Sequence, residues 1–301
     1  MKVLITGATG LIGGEIVKQC HAENIAVNYL TTSISKIKQE ESYQGFYWNA
    51  KTKDIDMNCF NGVNAIIHLA GASISKRWTP AYKKKIIASR TESTQLLINS
   101  LKEEDHCVKH IISASAIGIY PDSLTNYYEE TFKDFDSSFL AHVVKEWEKS
   151  VDEFSRLGIK VSKIRTGLVL SSQGGALPQI VQPIKYGLGA SFGIGKQWQS
   201  WIHLDDLANM YLYTLIHQLE GVYNGVAPNP VTNRELTKSI ATILNRPLIL
   251  PNIPRFAMKF ILGEMHNLLF DSQRVSSKKI ENKNFSFKFN YIKQALEDLL
   301  K

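Results

Sequence analysis

The stretch Lys2-Val3-Leu4-Ile5-Thr6-Gly7-Ala8-Thr9-Gly10-Leu11-Ile12-Gly13 constrains this chain more than any other. A short apolar run ends in three glycines, and an apolar-periodic segment (Leu11, Ile12, Ile16, Val17) follows. That order predicts a buried strand, a tight turn and the first turn of a helix. Glycine backbone lets an anion come close, and the free N–H groups and positive dipole end of a helix face it. The turn is therefore expected to hold a diphosphate, with Gly7, Thr9, Gly10, Leu11, Ile12 and Gly13 around it. The spacing is Gly-x-x-Gly-x-x-Gly rather than Gly-x-Gly-x-x-Gly. The competing account, a plain strand–helix turn, is disfavoured by the position between strand and helix at the chain start.

Further apolar runs at Val27–Thr31, Gly45–Trp48, Ala65–Leu69, Lys109–Ser115 and Lys160–Arg165 read as strands, with helices at Pro80–Lys102 and Ser137–Arg156 between them. Such alternation implies right-handed crossovers, hence an α/β fold with a Rossmann-type doubly wound parallel sheet. Residues 1–166 would form the dinucleotide-binding domain. Residues 167–301, richer in Gly/Pro loops, would form a smaller, interleaved substrate lobe with a C-terminal tail. Net charge is +7, but the lysines are dispersed and the densest run, Lys83-Lys84-Lys85, reads as a solvated helix face. No basic stripe with interleaved aromatics points to nucleic acid. Cys20, Cys59 and Cys107 share no close spacing, so neither a disulfide framework nor a metal site is expected. His106, Cys107 and His110 read as surface residues. No run is apolar for long enough to span a bilayer and no signal-peptide core follows Lys2, so the expectation is a cytoplasmic protein without a membrane partner.

The second strand ends Leu30-Thr31-Thr32-Ser33, with Lys36 nearby. An acid here usually binds a ribose 2′-hydroxyl and repels a 2′-phosphate. None is present, so Thr31, Thr32, Ser33 and Lys36 favour NADP(H) over NAD; a polar loop without preference is the competing account. Leu69, Ala70 and Gly71 leave room for the adenine and ribose side of a dinucleotide. His68, inside an apolar strand, reads as a hydrogen-bonded core histidine rather than a base.

The glycine turn with His68-Leu69-Ala70-Gly71 resembles the extended short-chain dehydrogenase/reductase superfamily of nucleotide-sugar epimerases and dehydratases. More narrowly, the chain is similar to the atypical "epimerase family protein" subfamily with a short tail domain of unknown function. The residues carrying that likeness are Trp78 with Ser89-Arg90-Thr91, Ser113 through Tyr120, Arg165 through Leu170, Gly195 through Leu207, Ala227 through Asn233, and the tail pieces Leu262-Gly263-Glu264-Met265 and Ser272-Gln273-Arg274-Val275.

The resemblance implies a Tyr-x-x-x-Lys pair plus a Ser or Thr. Tyrosine and lysine four apart share a helix face, and the ammonium lowers the phenol's pKa. Ser115 is the expected hydroxyl, with Ser113 as fallback and placed, with Arg90, beside the cofactor. Lys145 is present, but Ala141 stands where the tyrosine belongs. Tyr120, His142 or Lys145 alone are the candidate substitutes, and Tyr120 and Lys145 join Ser115 in the expected catalytic set. Tyr47 through Lys51 matches the spacing by coincidence, on a strand edge upstream of the serine. Nucleotide-sugar enzymes of this type carry an arginine before their His-x-Asp-Asp run; here Gln199 occupies that place, and Lys196 or Arg90 would have to compensate. Trp198, Trp201 and Gln199 are the expected substrate contacts, with the tryptophans as packing anchors the equal alternative. His203 and Asp206 are expected to cap the next helix.

In the tail, Phe256, Phe260, Leu268, Leu269, Phe270, Phe285, Phe287 and Phe289 read as an aromatic cover packed on the lobe or on a second subunit. Arg274 and Glu264 are candidates for a buried ion pair. The resemblance implies an NADP-binding oxidoreductase or epimerase acting on a small carbonyl or hydroxyl substrate. The alternative is a redox sensor that binds the cofactor and has lost turnover. Monomer and homodimer both remain open.

Overall fold

The computed structural model describes every residue except 104. Its centre is a nine-stranded sheet built on β1 (Lys2–Thr6), β2 (Ala26–Thr31), β3 (Tyr43–Asn49), β4 (Ala65–His68), β5 (His110–Ala116), β6 (Lys160–Thr166) and β7 (Gly221–Gly225). The spatial order is β7-β6-β5-β4-β1-β2-β3, all parallel, and short antiparallel strands (Gln39–Glu40, Asp54–Ile55) close the β3 edge. Strands buried on both faces need not alternate, and Val3-Leu4-Ile5 and Ala65-Ile66-Ile67 indeed have almost no exposed surface.

Helices cover both faces. α1 (Leu11–Ala22) turns Gly13, Ile16, Val17 and Cys20 inward and packs beside α5 (Leu204–Ile216). That layer meets Val3, Ile5, Ile67, Ile112 and Ile164 from the sheet. α2 (Pro80–Glu103) and α3 (Phe139–Asp152) cover the other face, where Leu97, Leu101, Trp147 and Val151 meet Leu4, Ile66, Ile111 and Val161. The chain leaves β1 for β2 and β3 on one side, then returns to β4 on the other. β1 and β4 therefore flank the topological switch point, where open α/β sheets place their ligands.

The lobe is built from α4 (Ala176–Lys185), α6 (Asn233–Ile243) and α8 (Ile292–Leu300), around Leu177, Val181, Trp201, Leu236, Ile240, Phe289 and Leu296. α6 begins with a reciprocal cap between Thr232 and Glu235. β7 and α5 lie within the second half of the sequence yet belong to the main sheet and its α1-side layer. Among the described residues no helix is long and apolar enough to cross a membrane.

Three expectations about the periphery change. His110 is not a surface residue: it opens β5, is 4% exposed, and bonds Ser162 Oγ at 2.8 Å through Nε2. Burial pushes its pKa down to about 4. The aromatic cover is also only partly a cover. Phe285, Phe287 and Phe289 are buried, whereas Phe256 and Phe260, on α7 (Arg255–Leu262), are 77% and 88% exposed. Glu264 and Arg274 do not meet: Glu264 pairs with Lys83 at the start of α2, and Arg274 lies between aromatic rings elsewhere. Residues equally suited by sequence to pair were assigned to different elements, and the packing of those elements decided.

Candidate functional site

The site begins where β1 ends. Gly7 has φ +75°, a left-handed conformation that glycine adopts without strain, and its carbonyl accepts from Gly10 N at 3.0 Å. α1 then starts at Leu11 with Gly10 as its cap residue and no side chain bonded to its first N–H groups. A helix amino end normally satisfies those donors with a Ser, Thr, Asp or Asn cap. Gly13 brings helix and turn together: a Cβ there would sit 2.7 Å from Ala8 Cα and closer still to the Gly7 carbonyl oxygen. Bare donors, a positive dipole end and a backbone that tolerates no side chain make a fitting cradle for a diphosphate.

Beneath the turn, Thr6 Oγ1 accepts from the N–H groups of Leu69 and Ala70, each at 3.0 Å. With its acceptor capacity used, Thr6 gives its proton to His68 Nδ1, 2.8 Å away. Ser93 and Thr94 both donate their hydroxyls to the Arg90 carbonyl, so they accept from His68 Nε2–H, each at 3.2 Å. His68 is thus neutral and structural, as expected. Burial, helped by the charge of Arg90, pushes its pKa down to about 4. This relay ties β1 to β4 at the switch point.

At the end of β2, Thr31 is buried and its hydroxyl accepts from Ser33 N, while Thr32 and Lys36 are exposed and Ser33 half-buried. A short turn over Ile34–Lys36 follows, held by the Lys36 carbonyl on Tyr29 OH at 2.6 Å. Leu69 and Ala70 are half-buried and Gly71 is exposed. Arg90 lies under Gly71, where a Cβ would come within 3.1 Å of its guanidinium carbon. It bonds the carbonyls of Ala72 and Ile86 and stacks over Trp147 at 4.9 Å; burial lowers its pKa to about 10. Ser113 has no exposed surface, and its hydroxyl donates to the Ala114 carbonyl.

Ser115, near the end of β5, turns to α3 rather than outward. Its hydroxyl donates to Glu148 Oε1 at 2.6 Å, and Glu148 takes a two-pronged bond from Arg165 (Nε–Oε1 2.8 Å, Nη2–Oε2 2.9 Å). The remaining guanidinium nitrogen donates to Tyr120 OH at 3.0 Å, and Tyr120 donates to Asn224 Oδ1 at 2.8 Å. Burial raises the Glu148 pKa, but the bonds and charge of Arg165, with the Ser115 hydroxyl, outweigh it and hold the carboxyl below its ordinary range. Burial likewise pushes the Tyr120 phenol up despite Arg165 beside it. Ser115 and Tyr120 are therefore joined in one buried network. Lys145 is not part of it: exposed, it bonds the Asp136 carbonyl at 2.8 Å. His142 is exposed, and Ala141, in the tyrosine's place, has no exposed surface. The sequence reading missed Glu148 and Asn224 as members. An acid on the apolar stripe of α3, one turn past Val144 and beside Trp147 and Val151, was the available signal.

On the lobe side, Trp201 has no exposed surface and bonds the Asn229 carbonyl, so it is a packing anchor and not a substrate contact. Trp198 and Gln199 are half-buried, on a two-residue strand paired with Val231–Thr232. Lys196 is exposed. His203 caps α5 by accepting from Asp205 N, as expected. Asp206 does something else: its carboxylate accepts from Lys288 N at 2.8 Å and Phe289 N at 3.0 Å, clamping the tail to α5. Among the described residues no cluster of acids, histidines or cysteines is arranged to hold a metal ion.

A doubly wound parallel sheet with a bare helix end at its switch point, an interleaved lobe and a serine on the fifth main strand defines the short-chain dehydrogenase/reductase class of dinucleotide-binding folds. The chain belongs to the NAD dependent epimerase/dehydratase family, which it matches over residues 3–225, and residues 253–299 match a domain of unknown function, DUF1731. It is 35% identical over 299 residues to an epimerase family protein of Staphylococcus aureus (strain N315), spanning 99% of this chain and 98% of that one. Among solved structures it is similar to human epimerase family protein SDR39U1 with NADPH (TM-score 0.85, 28% identity, 99% of each chain). It also resembles a nucleoside-diphosphate sugar epimerase from Corynebacterium glutamicum (TM-score 0.80, 29% identity), covering 100% of this chain and 58% of that one.

Proposed function

We propose that this chain binds NADP(H) at the amino end of α1 and works as an oxidoreductase or epimerase on a small carbonyl or hydroxyl substrate. The observation that carries the reading is the glycine cradle. The helix donors have no side-chain cap, and Gly13 closes against backbone where any side chain would collide. The polar, acid-free end of β2 (Thr31, Thr32, Ser33, Lys36) suits a 2′-phosphate, and the NADPH in the human relative's structure supports the same choice. When bound, the cofactor supplies or accepts the hydride. Leu69, Ala70, Gly71 and Arg90 would line its ribose side. Ser115 is the hydroxyl nearest the reacting end on this reading, held in one orientation by Glu148. Tyr120, sealed between Arg165 and Asn224, acts as a positioning group rather than a proton donor. Lys145, exposed and outside the buried network, is left as the candidate proton donor, and Trp198 and Gln199 as the substrate contacts.

A second reading, a cofactor-binding redox sensor without turnover, is favoured by one observation: no free phenol stands at the tyrosine position, which Ala141 fills. The test is a fluorescence titration with NADPH and NADH, followed by stopped-flow mixing of the NADPH complex with an aldehyde and ketone panel. Tighter NADPH binding and oxidation by at least one carbonyl are expected. Tight binding with no oxidation would transfer support to the sensor, and binding of neither cofactor would overturn both.

A further inference from the structure

The tail helix α7 buries none of its residues. Met258 and Leu262, four apart, are half-buried, and Leu262 packs beside Trp78 and Met265. The opposite face carries Phe256 and Phe260, also four apart and exposed, flanked by Lys259 and Ile261. A surface helix ordinarily keeps its apolar stripe for the core and turns polar side chains to water. This one turns two phenylalanines outward.

α7 does not stand alone. The segment before it, 244–254, is fastened along the segment that leaves α4. Ile253 N donates to the Ser191 carbonyl at 2.9 Å, and Gly193 N to the Ile253 carbonyl at 2.8 Å. Leu248 closes on Gly189, where a Cβ would lie 2.7 Å from its side chain. Both segments add exposed apolar surface: Ile249 is 76% exposed, Tyr186 74% and Leu188 59%. Pro247, Pro251 and Pro254 fix φ along the first segment, so its outward side chains have little backbone freedom left to lose on contact. Single apolar residues on a surface need no explanation, whereas a contiguous patch marks a contact with something else.

Charge narrows the occupant. No aspartate or glutamate occurs between Glu153 and Asp205 or between Glu235 and Glu264, the two stretches that supply the patch. Lys185, Arg246 and Lys259 are exposed, and among the described residues none of the three has a carboxylate within ion-pair distance. Arg255 differs: it bonds Asn267 and faces Asp271 at 3.8 Å, and so ties α7 to the body. A second copy docked symmetrically on this face would bring two cationic, acid-free patches together. An anionic bilayer meets both requirements, because Phe and Ile side chains enter the acyl boundary while Lys and Arg reach the headgroup phosphates. The expectation of no membrane partner rested on the lack of a spanning run, and a helix lying in the interface needs none.

We propose that this face of the lobe and tail docks on an anionic phospholipid bilayer, with α7 in the interface and Phe256 and Phe260 inserted. The cofactor plays no part in the contact, so docking is read by itself. Full-length protein is centrifuged with sucrose-loaded vesicles of phosphatidylglycerol and phosphatidylcholine, and with vesicles of phosphatidylcholine alone. Sedimentation with the anionic vesicles only is expected, weakening as salt rises from about 0.1 M to about 1 M and screening shortens. Phe256→Ser with Phe260→Ser should weaken binding at least about tenfold. Arg246→Gln with Lys259→Gln should cost about as much. All these positions are exposed, so guanidinium unfolding midpoints should match the wild type and show that the variants fold. No binding to the anionic vesicles, equal binding to the neutral ones, or undiminished binding by the phenylalanine variant would each overturn the proposal. So would a dimer in sedimentation equilibrium that the phenylalanine variant abolishes while vesicles bind nothing, which would make the face a subunit interface.

Discussion

Glu148→Gln probes the buried network most directly. The pair it breaks is 10% exposed at Glu148 and 3% at Arg165, and two bonds of 2.8 and 2.9 Å join them. The substitution keeps shape and one acceptor oxygen but leaves the Arg165 charge without a counter-charge in the interior. Breaking one side of a buried pair costs about 3–5 kcal/mol, against a total stability of about 5–15 kcal/mol for a domain. The lower end is expected here, because Tyr120 OH still accepts from Arg165 and Ser115 can still donate to the amide oxygen. Removing both charges together, as Glu148→Leu with Arg165→Met, removes the desolvation penalty as well. The double variant should then lose at least about 2 kcal/mol less than the sum of its singles, as coupled sites do. Guanidinium unfolding at pH 7 measures all of these through the midpoint, provided the slope is unchanged. A loss under about 1 kcal/mol for Glu148→Gln, or strict additivity in the double variant, would show that the pair is screened and not as buried as its geometry says.

Two further outcomes follow from the turn and from the relay beneath it. Gly13→Ala should lower NADPH affinity more than about tenfold, because the new methyl meets backbone that cannot yield and pushes α1 off the diphosphate cradle; unchanged affinity in a titration would place the cofactor elsewhere. His68 is neutral when folded, with its pKa lowered from an ordinary 6.5 to about 4. The unfolded chain therefore takes up the proton first, and stability falls as pH drops from about 6.5 towards 4, by up to roughly 3 kcal/mol at 1.36 kcal/mol per pH unit. Unfolding free energies at pH 7 and 4.5 should differ by about 2–3 kcal/mol more in the wild type than in His68→Gln, in which His110, with its pKa likewise lowered to about 4, contributes equally; parallel curves would refute the assignment.

The cradle was readable in one dimension because its parts are neighbours along the chain. A strand, three glycines and an amphipathic helix start follow one another within Lys2–Gly13, and local backbone geometry dictates their arrangement. Alternating apolar runs announced the parallel sheet for the same reason, whereas the tyrosine missing at Ala141 was legible only through the family resemblance, which implies a Tyr-x-x-x-Lys pair. The rest depended on which elements came to lie side by side. Glu148 meets Arg165 and Ser115 because α3 crosses β5 and β6 in one register, and nothing in the spacing of an acid on a helix names its partner on a strand. His110 was misread because a strand's first residue is buried or exposed according to its neighbour, here Ser162 of β6. Glu264 and Arg274 looked like partners, yet packing gave one to Lys83 and the other to Trp198. Short-range chemistry is written in consecutive residues. The choice among long-range partners of equal charge is made only when the core closes, since burial and distance, not identity, decide which pair forms.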